Sequence, residues 1–286
     1  MPPIALDAAF HPQAPWPAIP DAVTDAGRKA HVSGTTTEHT EPPKYHSTRA
    51  LADYTNAGQT AVTAVQQGLH QHYMPSDEDL FVHRAEADVV RSAALYLLHP
   101  VNMALNLRSL VTYKCCSEFK KNTVRCDIVY SRRVGNTNTT TPFAVVEFKN
   151  RGVVDRNQHP WDQALTSNRT TGALLTQQVF AAAPFNGDID EVVGQAPTNA
   201  AGEITYFEEN PLILLKQAAS YAITYRTRYV ALFDWDTLIL VYFNDLSVAN
   251  KFGGDGVQTT VIRNKGQMRL ALLGFLELAL VQPAVV

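Results

Sequence analysis

The opening residues, 1–45, show no steady hydrophobic period. Pro, Thr and Ala dominate, and the stretch reads as a disordered or loosely draped arm whose removal should leave a foldable core. Helical and strand spacings alternate after it. RALADYTNAGQTAVTAVQQGLHQHY repeats apolar positions at helical spacing, with Gly58 a weak point. PSDEDLFVHRAEADVVRSAALYLLHP predicts a second helix, opened by Ser76 with Asp79 as a capping box and stopped at Pro100. LRSLVTYKCCSEFKK, VRCDIVYSRR and PFAVVEFKNRG then read as strands, with GNTNTTT a turn between the second and third. Residues 152–210 are less regular. WDQALTSNRTTGALLTQQVFAAA reads as helical in parts and FNGDIDEVVGQAPTNAAGE as a flexible loop. NPLILLKQAASYAITYRTR predicts a helix with Pro211 in its first turn. RYVALFDWDTLILVYFN predicts a hairpin turning near Trp235 and Asp236, followed by the strand VQTTVIR and the helix MRLALLGFLELALVQ. The chain has no internal repeat.

Charges interrupt this pattern at a few places. In FAVVEFKN, Glu147 and Lys149 stand two apart on an otherwise apolar strand, so both project from one face. Buried charges persist only when paired with each other or with a further group. Asp127 alternates with Cys126 and Ile128 on the preceding strand, and a β-meander brings it near Glu147. Glu86 shares a helix face with Val89, Val90 and Ala93, an unusual setting for a carboxylate. Hard oxygen ligands such as Asp127 and Glu147 suit Mg²⁺ or Mn²⁺. Lys149 beside such an ion could orient or deprotonate a water, or oppose charge developing on a phosphate, the apparatus of metal-assisted phosphodiester hydrolysis.

Composition narrows the picture little. The 286 residues are 45% hydrophobic and 18% charged with net charge −3, an ordinary globular balance without a global basic signal for nucleic acid. The three cysteines, Cys115, Cys116 and Cys126, make no disulfide framework and lack zinc spacing, and they suggest a reducing compartment. MPPIALDAAFHPQ is not patterned as a secretory signal, and no apolar run reaches membrane-spanning length, so the expectation is an intracellular protein, cytoplasmic or nuclear, with no membrane partner.

The ordered set Glu86, Asp127, Glu147-Phe148-Lys149 and Gln217-Ala-Ala-Ser-Tyr221 resembles the PD-(D/E)xK nuclease superfamily in its RecB-like Q-x-x-x-Y branch, with the look of its fungal members. The resemblance covers roughly residues 76–243. It implies an α/β restriction-endonuclease-like αβββαβ core, a mixed central sheet with flanking helices, in a single domain over 46–286 with an insertion at 152–210. It implies that Asp127, Glu147 and the Phe148 carbonyl bind Mg²⁺ or Mn²⁺. Lys149 would be the catalytic lysine, with Glu86, Gln217 and Tyr221 completing the site. The expected activity is a Mg²⁺-dependent deoxyribonuclease acting on nucleic acid, DNA ahead of RNA. Cys126 stands where the family's name-giving proline would be, and the distance from Lys149 to Gln217 is long.

Blander readings exist for each residue. Glu147 and Lys149 alone could be a structural ion pair, and Gln217 and Tyr221 a helix face with a core tyrosine. A catalytically silent binding or interaction module on the same fold is the alternative function. Lys114, Lys120, Lys121, Arg125, Arg132 and Arg133 form either a solvated edge or a phosphate-contacting rim, to which Arg151, Arg156 and Arg169 could add. Tyr221, Tyr225, Tyr229 and Trp235 fit core packing better than base stacking. Oligomeric state is open.

Overall fold

The structure is a computed structural model that describes residues 4–20, 30, 40–43, 45–74, 82–108, 113–121, 124–133, 139–155, 161, 198, 202–203, 205, 207–244 and 256–282. Its centre is a seven-stranded mixed sheet in the order β1-β7-β6-β5-β4-β3-β2. The strands are β1 (Tyr45–Thr48), β2 (Tyr113–Lys121), β3 (Val124–Arg133), β4 (Thr140–Phe148), β5 (Tyr229–Phe233), β6 (Leu238–Phe243) and β7 (Gly256–Ile262). β2, β3 and β4 form an antiparallel meander. β4 and β5 are parallel, and antiparallel β6 and β7 follow. A parallel pair needs a crossover. Between β4 and β5 that crossover contains helix α4 (Glu209–Tyr225). β1 pairs parallel with β7, so the end of the arm closes one sheet edge.

Strand residues alternate between two apolar layers, as the pleat requires, except at a β3–β4 bulge where Phe143 and Ala144 join the same layer. Ala144, Val146, Phe148, Ala231 and Phe233 pack with helices α1 (Leu51–Leu69), α2 (Glu86–Ala93), α3 (His99–Arg108) and α5 (Lys265–Val281). Val145, Val230, Leu232 and Ile239 pack on α4 together with Trp161 and Phe207. α1 and α5 approach closely because glycines face backbone. A Cβ on Gly274 would lie 1.8 Å from the Tyr54 carbonyl oxygen, and one on Gly58 would lie 2.1 Å from that of Leu270. Gly58 is therefore a packing residue rather than a weak point.

Three expectations are corrected. The second helix begins at Glu86, where the Asp88 carboxylate accepts the backbone N–H groups of Arg84 and Ala85. The expected Ser76–Asp79 box lies outside the described residues. The helix also does not stop at Pro100. A π-helical turn, Ala94–Leu98, intervenes, His99 donates to the Ala94 carbonyl, and α3 continues to Arg108. Proline lacks the N–H that would reach the carbonyl four residues back, that of Tyr96. The Arg269 guanidinium of α5 takes its place, with Nε 2.6 Å from the Tyr96 oxygen.

The arm is the third correction. Residues 4–20 are packed, not loose: Leu6 is 0% exposed, Phe10 3% and Ile19 5%, all within the α1/α2/α5 layer. Arg269 also donates to the Ala9 and Pro15 carbonyls and lies over the Trp16 ring at 4.5 Å. Farther on, Ala30 N–H donates to the Asn210 side chain in α4, on the other face of the sheet. The expected helical and loop segments between 162 and 197 lie outside the described residues.

Candidate functional site

β3 and β4 pair by their backbones only as far as Ile128 and Val146. One residue beyond, the ladder gives way to an exchange between side chains and backbone. The Asp127 N–H donates to Glu147 Oε2 at 3.2 Å, and the Phe148 N–H donates to Asp127 Oδ2 at 2.7 Å. The two carboxylates are thus held together where the strands part. Asp127 is half-buried and Glu147 is buried.

Lys149 lies just past the end of β4. Its own N–H donates to the Phe233 carbonyl on β5, so the backbone stays extended and the ammonium remains on the Glu147 face. Nζ donates to Glu147 Oε1 at 2.6 Å. The same oxygen accepts the Tyr221 hydroxyl of α4 at 2.7 Å. Gln217 is buried one helical turn before Tyr221, on the same face of α4. Glu86, the first residue of α2, reaches the cluster from the opposite helical layer, half-buried and within electrostatic reach of Lys149, Glu147 and the Asn150 N–H. The Phe148 side chain is fully buried edge-on to Phe233, which places its backbone between Glu147 and Lys149 at the strand end.

Three carboxylates therefore surround the Lys149 ammonium, and the Arg125 guanidinium adds a smaller attraction at Glu86. Burial, with the Glu147 charge added, pushes the Asp127 carboxyl up to about 7. Burial likewise raises Glu86. Burial works against the charged form of Lys149, but Glu147, Glu86 and Asp127 outweigh it and raise the ammonium above its ordinary value. Burial and then the Glu147 charge push the Tyr221 phenol well up, so it stays a proton donor to that carboxylate.

The donor set is oxygen only, as Mg²⁺ and Mn²⁺ prefer. Among the described residues no group of three or more His, Cys, Asp and Glu side chains could hold a metal ion by itself. A two-carboxylate site still fits Mg²⁺, which keeps several waters and takes its remaining ligands from substrate phosphates.

The candidate rim divides. The side chains of Lys114 and Lys120, and all of Arg156 and Arg169, lie outside the described residues. Lys121, Arg125 and Arg133 are exposed. Arg132 instead donates to the Leu280 carbonyl at 2.6 Å in the last turn of α5. Tyr221, Tyr225, Tyr229 and Trp235 are all buried, which is packing and not a stacking platform. Cys126 is buried and takes part in no disulfide.

The sequence pattern missed Asp234, and it placed Arg151 with the rim and Asp236 at the hairpin turn without showing that the two meet. Asp234 is fully buried, and its carboxylate accepts the N–H groups of Val154, Asp236 and Thr237. The Arg151 guanidinium pairs with Asp236 through two nitrogens. The available signal was the D-x-D in FDWDT between two apolar runs, where acidic residues commonly close turns on backbone N–H groups.

No family model matches the chain, and no curated protein or solved structure matches it. Among the described residues no helix is long and apolar enough to cross a membrane.

Proposed function

We propose that the protein is a metal-dependent nuclease that hydrolyses phosphodiester bonds of DNA, built on the PD-(D/E)xK plan. The observation that carries this reading is the parting of β3 and β4 at Asp127 and Glu147, with Lys149 bonded to Glu147 beside them. The order of elements supports it too: α2–α3, the β2-β3-β4 meander, α4, then β5 parallel to β4 matches an αβββαβ core.

In this reading Asp127, Glu147 and the Phe148 carbonyl would hold Mg²⁺ or Mn²⁺. A bound ion supplies Lewis-acid stabilisation of the phosphate and a more acidic water. Lys149 is held as an ammonium by the surrounding carboxylates, which favours an electrostatic part opposite the developing phosphate charge over proton abstraction. Tyr221 keeps Glu147 oriented through Oε1, leaving Oε2 toward Asp127. Glu86 adds negative charge from the far layer and helps keep Lys149 protonated.

Incubation with single- and double-stranded DNA and RNA, in Mg²⁺, Mn²⁺ or EDTA, tests the reading. Cleavage with either metal and none in EDTA is expected, with DNA preferred. Undiminished cleavage in EDTA, or none of any substrate with either metal, would overturn it.

A further inference from the structure

Lys149 stands at a point where strand hydrogen bonding ends, yet its ammonium must stay within bonding distance of Glu147. The chain that follows explains how. Residues Asn150–Val153 form a β-turn closed by the Val153 N–H on the Asn150 carbonyl at 3.1 Å. Gly152 occupies its third position at φ 78°, as a type II turn requires, and a Cβ there would meet nothing within 4 Å, so the glycine serves the backbone angle alone.

This turn is fastened to a second one, the β5–β6 hairpin loop. The Val154 N–H donates to Asp234 Oδ2 at 2.8 Å. Arg151 pairs side-on with Asp236, and its remaining terminal nitrogen donates to the Ile19 carbonyl of the arm at 2.6 Å. The Asn210 amide donates to the Val153 carbonyl and the Trp161 indole to that of Val154. The hairpin loop is itself fixed. Trp235 holds φ 79°, a conformation that persists only where the surroundings over-determine it, and its buried ring packs against Trp16, His83, Tyr96 and Phe233.

We infer that the Arg151–Asp236 pair is a positioning device for Lys149. It locks the turn after β4 onto the β5–β6 loop, so that the lysine leaves the sheet in one direction. It also keeps a second cation occupied. Arg151 lies two residues from Lys149, and a guanidinium freed from Asp236 would compete for the same Asp127, Glu147 and Glu86 carboxylates. Lys265 also contacts Asp236, at 2.9 Å, from the start of α5, and so joins the hairpin loop to α5.

The kinetic half of this inference rests on the nuclease reading, so the experiment has a second half that does not. Full-length wild type, Asp236→Asn, Arg151→Gln and Lys265→Met are labelled briefly with an amine acetylating reagent, and the label at Lys149 is quantified by peptide mass spectrometry against exposed Lys121. Metal-dependent cleavage is followed on the same samples, per folded molecule by circular dichroism. Asp236→Asn and Arg151→Gln should raise Lys149 labelling about tenfold or more and lower kcat roughly 10–100-fold, with KM within about twofold, because a small misplacement costs turnover more than binding. Lys265→Met should leave both at the wild-type level. Unchanged Lys149 labelling in folded Asp236→Asn and Arg151→Gln overturns the inference, as does raised labelling with unchanged kcat. If wild type cleaves nothing while the two variants expose Lys149, the positioning stands and the nuclease reading falls.

Discussion

Replacing Asp127 by asparagine should stabilise the metal-free protein near neutral pH. The Asp127 carboxyl is held at about 7 against an ordinary 3.8, by burial and by the Glu147 charge beside it. That rise corresponds to about 4 kcal/mol between the protonated and ionised forms. The sign follows from proton counting. Between the two values the folded protein keeps a proton that the unfolded chain has released, so stability is fully present at acid pH and falls as pH rises towards the folded value. Asparagine keeps the shape, can still accept the Phe148 N–H, and carries no charge to repel Glu147. Urea unfolding in EDTA at about pH 4 and about pH 8 gives the comparison. The two proteins should differ little in acid, and the variant should be more stable at the higher pH by about 2–4 kcal/mol, the lower end reflecting partial exposure and screening. Asp234, also raised to about 7 by burial, titrates in both proteins and cancels in the difference. Adding Mg²⁺ should stabilise wild type more than the variant, because a ligand stabilises only the state it binds. A variant less stable than wild type at the higher pH, or a difference independent of pH, would refute this account of the cluster.

Lys149→Ala should lower turnover by roughly two or more orders of magnitude. It should also destabilise the metal-free fold by roughly 3–5 kcal/mol, since the Lys149 and Glu147 side chains are only 12% and 8% exposed and the carboxylate would be stranded; a melt in EDTA unchanged by the mutation would show the pair to be inert. Deleting residues 1–20 should lower the melting temperature sharply, because burying Leu6, Phe10 and Ile19 is worth about 1.5–3 kcal/mol each; an unchanged melt would return the arm to a dispensable role. Arg269→Met should cost about 3 kcal/mol or more by leaving the Tyr96, Ala9 and Pro15 carbonyls without their donor, checked by urea unfolding. DNA binding should weaken as salt rises, in proportion to the phosphates neutralised; a salt-insensitive titration would favour a protein partner.

Elements with a pure local period were legible in the sequence. β3 covers VRCDIVYSRR, the same ten residues that alternate in the pattern, and α4, the hairpin and α5 fall close to their expected places. Asp127, Glu147, Lys149 and Tyr221 could be picked out because each is polar in a stretch otherwise built for burial. What stayed hidden depends on contacts from far along the chain. Pro100 reads as a stop until Arg269, from the last helix, supplies the missing donor. The arm has no period because it packs through single residues, Leu6 and Ile19 in extended or turn segments and Phe10 at the end of a three-residue 3₁₀ turn, and not through a face. β1 is four residues long and exists only by pairing with β7. Arg151 and Asp236 are 85 positions apart, and nothing local says they meet.

Arg269 has a bearing on how the chain reaches this structure. Its guanidinium joins the Tyr96 carbonyl at the π turn to the Ala9 and Pro15 carbonyls near the N-terminus, and β1 likewise waits for β7. During synthesis the first hundred residues emerge long before α5 does, so neither the arm nor the turn ahead of Pro100 can settle until α5 has followed. Closure over such sequence distances is slow, and the intermediates expose unpaired strand edges and apolar surface in the meantime. The last step of folding here waits on α5, and removing that helix should unfasten residues 4–20 and the turn ahead of Pro100 along with it.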